Sequence, residues 1–288
     1  MTVSINQNYI SRFSGNLFHL LGAQGSKLKG LFPIEKATGE KHFFDRLGDF
    51  TVSERLTAAA PTNGQDGSHS RRMATVKLFD APVILDKKFD VNKMLIDPTA
   101  DYIKKLANVH GQNYDVELFT ALLGTAATGA TGSGSQAFDS GQQIAHGGTG
   151  LTVAKVDQAI KLMRQNRVDL QRDGIYLFID ARAEEDLLAD AKITSFDYQN
   201  SKVLDGKMLP SYRGLKVVHT EDIPVHTAGS VYRAVMCTAD ALRVAEAEDL
   251  EVVINERPDL SNATQIMTTM MFGAVRMEEK RVVDILFQ

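Results

Sequence analysis

The chain has 288 residues, 43% of them apolar, which suits a folded protein of one large domain or two smaller ones. Its 32 basic and 36 acidic side chains leave a net charge of −4, against a dedicated nucleic-acid binder, which carries a basic patch or a high pI. A single cysteine, Cys237, excludes an internal disulfide framework, and no apolar run approaches the ~20 residues of a membrane span.

Residues 1–34 read as a polar arm with a few large apolar anchors. A short helical turn at 16–21 is broken on either side by Gly15, Gly22, Gly25 and Gly30. The start lacks the basic residues and apolar core of a signal peptide. An arm so broken has no core of its own, so it is expected to lie against another surface. Residues 41–47 and 73–79 then read as strands, with a turn-rich polar tip at 58–68 between them. The pair makes an extended hairpin, which is marginal in water unless it finds further surface.

Residues 97–123 carry the pattern of one long helix. Asp97 suits the N-cap, Pro98 the first helical position and Asp101 the first turn, and Gly124 stops the run. Tyr102, Leu106, Val109, Val116, Phe119 and Leu123 recur at helical spacing and predict the buried stripe. Gly111 is its weak point, about 1 kcal/mol worse than alanine, and the place where so long a helix is expected to bend. Residues 124–150, rich in Gly, Ser and Thr, read as a flexible connection.

From Leu151 the pattern turns α/β. A helix capped by Thr152 runs to about Arg167, with Val153, Val156, Ile160 and Met163 on one face. A strand at 174–179, a second helix at 181–191 and strands at 214–219 and 231–237 follow. The tail is strand-rich at 250–254, 265–275 and 281–287, and is expected to return onto the long helix. Met267, Met270, Met271 and Met277 read as core filler, and Cys237 as a small buried hydrophobe.

Chemistry finds little support. The seven histidines show no metal spacing, and no Gly-x-Ser-x-Gly elbow occurs. The loop at 124–150 lacks the Gly-Lys-Ser/Thr of a phosphate loop, and Gly147-Gly-Thr-Gly150 lacks a dinucleotide fingerprint and its preceding strand. His146 reads as a loop residue. Glu184, Glu185 and Asp186 read as solvated charge favouring a helix N-terminus rather than an acid/base or metal site. No catalytic residue, cofactor site or metal site is assigned, and the chain is read as a structural protein rather than an enzyme.

A series of short motifs carries a resemblance. Phe44-Asp-Arg-Leu-Gly48, Asp66, His69-Ser-Arg-Arg72, Leu85-Asp86, Asp90, Asp97-Pro-Thr-x-x-Tyr102, Asp115 and Ala121-Leu-Leu-Gly124 follow in that order before and through the long helix. In this the chain resembles the major capsid proteins of tailed bacteriophages with the HK97-like fold. The second half matches by element order alone.

The resemblance implies an α+β fold with an N-terminal arm at 1–34 and an E-loop hairpin at 35–88. It implies a peripheral domain with the spine helix at 89–149 and 241–288, and an axial α/β domain at 150–240. It implies a virion protein that self-assembles as hexamers and pentamers, in the host cytoplasm, into an icosahedral shell around double-stranded DNA held without sequence-specific binding. Portal, separate scaffolding and decoration proteins are the implied partners, and no membrane is. One branch of the family cross-links subunits, and no motif here marks Lys77, Asn255 or Asn262 for that role. Arg71 and Arg72 are candidate contacts to a neighbour's carboxylate, because arginine holds carboxylates in a two-bonded fork, and Asp86 and Asp90 are candidate partners. Two other readings stay open: an encapsulin-like compartment around a cargo enzyme, and a soluble α/β enzyme using residues 150–240.

Overall fold

The computed structural model describes residues 25–48, 50–52, 54, 64, 66–86, 99–169, 173–190, 211–227 and 229–288. The expected turn at 16–21, the helix start at Asp97 and Pro98, and Asp90 lie outside them. In chain order come β1 (Ile34–Lys36), β2 (Lys41–Leu47), β3 (His69–Thr75), β4 (Lys77–Leu85) and α1 (Thr99–Leu123). Then follow β5 (Ala126–Thr128), β6 (Gly134–Gln136), β7 (Gln143–Ile144), α2 (Val153–Gln165), β8 (Ile175–Ile179) and α3 (Ala181–Ala189). β9 (Ser211–Tyr212), β10 (Leu215–His219), β11 (Tyr232–Thr238), β12 (Leu242–Arg257), β13 (Ala263–Arg276) and β14 (Val282–Phe287) complete the chain.

The described strands form three sheets, ordered β1-β12-β13-β4, β7-β14-β11-β8-β10-β9 and β2-β3-β5-β6. The second sheet is buried on both faces, which is why its strands are near-continuous apolar runs rather than alternating ones. Leu177, Ile179, Ala234, Met236, Val283, Ile285 and Phe287 face α2 and α3, among Val156, Ile160, Met163 and Leu187. The intervening residues Phe178, Val235, Cys237 and Val282 face α1, among Tyr114, Leu118, Phe119 and Leu122. Phe119 meets Phe178 edge to face at 5.3 Å between ring centroids, so the long helix is fastened to the α/β half by aromatic packing.

The helix also rests on the tail strands, as the sequence predicts. Tyr114 meets Phe272 of β13 with the rings tilted by 43° and their centroids 4.7 Å apart, and Met270 lies in the same cluster. The buried stripe differs from the predicted one. Leu106, His110, Tyr114, Leu118 and Leu122 repeat every four residues and are buried together with Phe119, whereas Val109 and Val116 are exposed. The two valines stand a residue or two off the true stripe, which turns them about 100° or more out of it.

Two strand expectations are also corrected. The predicted strand at 73–79 is really the end of β3 and the start of β4, in different sheets, with Val76 between. At the crossing, the backbone of Thr75 passes over Gly273 of β13 so closely that a Cβ there would lie 2.2 Å from the Thr75 carbonyl oxygen. Only glycine permits that approach. The region 124–150 is built rather than merely flexible. β5 pairs with β3, β6 pairs with β5, and β7 runs parallel to β14. Short runs of Ala, Gly and Ser lack the apolar alternation that marks a strand, and tertiary pairing supplies what the pattern lacks. Pairing also crosses the boundary expected at residue 240, because β14 joins β11 inside the α/β sheet.

Candidate assembly surface

β2 and β3 pair antiparallel in register from Lys41↔Thr75 to Leu47↔His69. A bare hairpin is marginal, and here β5 extends it through Arg72↔Thr128 and Met73↔Ala127. On the core side, Phe44 and Ala74 pack with Val76, Ala126, Ala245 and Val275. At the end of the paired region and just beyond it the chain carries exposed apolar side chains, Leu47 at 60%, Phe50 at 55% and Val52 fully exposed. Large apolar groups placed together in solvent mark a surface that meets another protein.

The two arginines singled out in the sequence diverge, because neighbours along a strand point to opposite faces. Arg71 lies on the exposed side and donates from Nε to Asp45 on the facing strand. Arg72 is 4% exposed and donates from Nη2 to Glu279 at 2.6 Å, an acid more than two hundred residues away that no local pattern announces. Burial lowers the Arg72 pKa, with Glu279 opposing and the charge of Arg46 adding to the fall. Asp86 follows β4, away from both in the sheet order, so the described residues do not bring it to the arginines. Lys77 begins β4 and pairs with Glu117 of α1 at 2.8 Å.

Arg276 is the structural residue beside this surface that sequence reading missed. It is fully buried and closes the C-terminal end of α1. Its Nη1 donates to the carbonyls of Leu122 at 2.7 Å and Gly124 at 2.6 Å, and its Nη2 to that of Gln136 at 3.2 Å. Helix ends leave carbonyls unpaired and carry partial negative charge, so a guanidinium there satisfies both needs. Glu279, 3.7 Å from Arg276 Nε, links this cap to Arg72 and so to the hairpin.

Asp115 does the corresponding work near the other end of the described chain. It is fully buried and accepts from Ser26 Oγ, from the Lys27 amide at 2.8 Å and from the Leu28 amide at 3.2 Å. Burial raises its pKa, and the three hydrogen bonds oppose the rise. The chain leaving the arm is thereby pinned to the spine helix.

The glycine-rich run 147–150 has the wrong polarity for phosphate. A phosphate loop aims N–H groups inward. Here carbonyls converge on a cation instead. Lys155 Nζ donates to His146 and Thr149 at 2.8 Å, Gly150 at 2.9 Å and Leu286 at 3.3 Å. The acids of α3 also have separate structural tasks. Asp186 accepts from the Leu151 amide at 2.8 Å, Glu184 lies 3.3 Å from His219, and Glu185 is exposed. Among the described residues no group of three His, Cys, Asp or Glu side chains is placed to hold a metal ion, and no helix is long and apolar enough to cross a membrane.

A spine helix packed between a two-faced α/β sheet and the long tail strands β12 and β13, with the hairpin sheet set against β13, is the architecture of the HK97-like capsid class. The phage capsid protein family matches residues 5–288, and the chain belongs to that family, which makes it a component of the virion and a structural protein rather than an enzyme. A comparison with curated proteins finds no match. Solved capsids share the fold. The capsid structure of the cyanophage P-SCSP1u is 13% identical with a TM-score of 0.74, covering 100% of this chain and 95% of that one. The capsid of Ralstonia phage GP4 is 12% identical at 0.74, covering 100% and 97%. The cyanophage Pam1 capsid is 16% identical at 0.72, covering 96% and 95%.

Proposed function

We propose that this capsid protein assembles as hexamers and pentamers into an icosahedral shell that encloses double-stranded DNA. The observation that carries the reading is the family match over 5–288 together with a hairpin whose Leu47, Phe50 and Val52 stand in solvent. A neighbouring copy is the natural cover for such side chains, since contacts between copies bury apolar surface that one chain leaves wet. In this reading residues 1–34 are the arm and 35–88 the E-loop. Residues 89–149 with 241–288 form the peripheral domain, and 150–240 the axial one. The sheet formed by β8, β11 and β14 then ties the last two together. Arg71 and Arg72 are both candidates to meet a neighbour's carboxylate: Arg71 stands on the open side of the hairpin beside Asp45, and Arg72 spends only Nη2 on Glu279.

A net charge of −4 suits a container. A strongly basic inner wall would bind DNA phosphates and hinder both entry and ejection. A portal protein, a separate scaffolding protein and a decoration protein complete the assembly, which forms in the host cytoplasm. Sizing and electron microscopy of the expressed full chain test this. Particles of megadalton mass with five- and six-fold clusters support it, and a small species alone overturns it. Co-purified protein cargo in place of nucleic acid would assign the shell to a compartment instead.

A further inference from the structure

The hairpin sheet holds more positive charge than it neutralises. Cross-strand pairing of Phe44↔Arg72 and Arg46↔Ser70 places Arg46, Ser70 and Arg72 on one face, whereas Asp45 and Arg71 answer each other from the opposite one. An open cleft of about 920 Å³ is lined by Arg46, Arg71, Arg72, Ser70 and Thr128 among others, with Asp45 the carboxylate in its lining. Arg72 lines it while only 4% exposed, and its Nε and Nη1 are buried without a hydrogen-bond partner among the described residues.

The surplus is plain from the acids within reach. Glu279 serves both Arg72, at 2.6 Å, and Arg276, at 3.7 Å. Arg276 spends Nη1 and Nη2 on backbone carbonyls, and its buried Nε has no hydrogen-bond partner among the described residues. Arg46 has no carboxylate partner among the described residues. Glu279 thus answers two guanidiniums and Asp45 answers Arg71, which leaves Arg46 beside Arg72 on one face without a carboxylate of its own among the described residues. Buried unpaired charge is costly, and like charges destabilise each other when neighbouring, so the arrangement calls for an anion.

We propose that Arg46 and Arg72 form an oxyanion site that a carboxylate of a second copy of this chain fills in the assembled particle. This rests on the shell reading above. A second copy provides the complementary charge. The chain has four more acids than bases, and Glu248 and Glu251 are exposed acids on β12, either side of an Asp249 already paired with Lys29. The neutral donors Ser70 and Thr128, which also line the cleft, suit an oxyanion as well as the guanidiniums do.

Electron cryomicroscopy of particles assembled from the full chain tests the site. The expected result is a neighbouring copy's carboxylate about 3 Å from the guanidinium of Arg46 or Arg72. Particles in which the cleft holds only water, a free ion or apolar side chains overturn the inference and leave the shell reading standing. Failure to form particles removes both. Because Arg72 is buried and its loss can unfold the chain, the variant is at Arg46. Arg46→Glu is expected to melt as the parent does and to need about tenfold more subunit to assemble, the loss of one charge-assisted contact, while Arg46→Lys assembles nearly as the parent does. Unchanged assembly of Arg46→Glu overturns the proposal.

Discussion

Gly111 in the middle of the spine helix and Ser26 of the arm stand in backbone contact. A Cβ added to Gly111 would lie 2.6 Å from the Ser26 nitrogen and 2.7 Å from the Gly25 carbonyl carbon. One turn further on, Asp115 accepts from Ser26, Lys27 and Leu28. Glycine at this point of the helix, which runs from Thr99 to Leu123, lets another segment of chain approach.

Gly111→Ala therefore tests contact against flexibility. Helix propensity alone would stabilise the variant by about 1 kcal/mol. Displacing the backbone of residues 25–26 is expected to outweigh that gain and lower stability by about 1–3 kcal/mol. Hydrogen exchange should locate the damage at the Lys27 and Leu28 amides. A raised melting temperature would show that the close approach carries no weight.

Arg276→Met removes the cap of the spine helix and leaves the carbonyls of Leu122, Gly124 and Gln136 without their donor. A loss of about 3–5 kcal/mol in chemical denaturation is expected, the scale of breaking a buried charged contact from one side. Arg276→Lys is expected to recover only part of it, because an ammonium lacks the planar fork that reaches three carbonyls. A melting curve unchanged by the methionine would remove the cap from the account.

Asp284, in the middle of β14, is 1% exposed and accepts from Gln143 at 2.8 Å, with Arg233 at 3.7 Å. Burial raises its pKa above the ordinary 3.8, and those neighbours oppose the rise. In the folded chain this carboxyl holds its proton to higher pH than in the unfolded one. Its contribution to stability therefore falls as pH rises from the ordinary value through the raised one. Asp284→Asn is expected to become more favourable relative to the parent as pH rises above the ordinary carboxylate value of 3.8. A difference in melting temperature that does not change with pH would contradict this.

Cys237 is fully buried on the α1 side of the central sheet, and burial pushes its thiol pKa up. It is expected to react with a thiol reagent at least about a hundredfold more slowly in the native chain than in the denatured one. That protection corresponds to an opening free energy of roughly 3 kcal/mol. Rapid labelling of native protein would place the strand β11 in an easily opened part of the fold.

The features legible in the sequence were those that local pattern encodes. The length of α1, the helix after Thr152 and the apolar strands β8, β11 and β14 follow from periodicity and from runs of residues with no polar face. Phe44-Asp-Arg-Leu-Gly48 and the motifs after it gave the family. The stripe of α1 was misread at Val109 and Val116, because an apolar residue near the true face is indistinguishable from one on it until the partner surface is known.

Composition and periodicity by themselves determined that the chain holds a long amphipathic helix between a strand-rich half and an α/β half, with no disulfides and no catalytic motif. Tertiary structure alone decided what that helix serves. Gly111 became a contact point, the glycine loop closed on a lysine, and Arg72 found its carboxylate at Glu279. The reason is distance along the chain. A pattern reports neighbours three or four residues away, while the ion pairs and close approaches that fix this fold join residues about ninety to two hundred apart, and only folding brings those together.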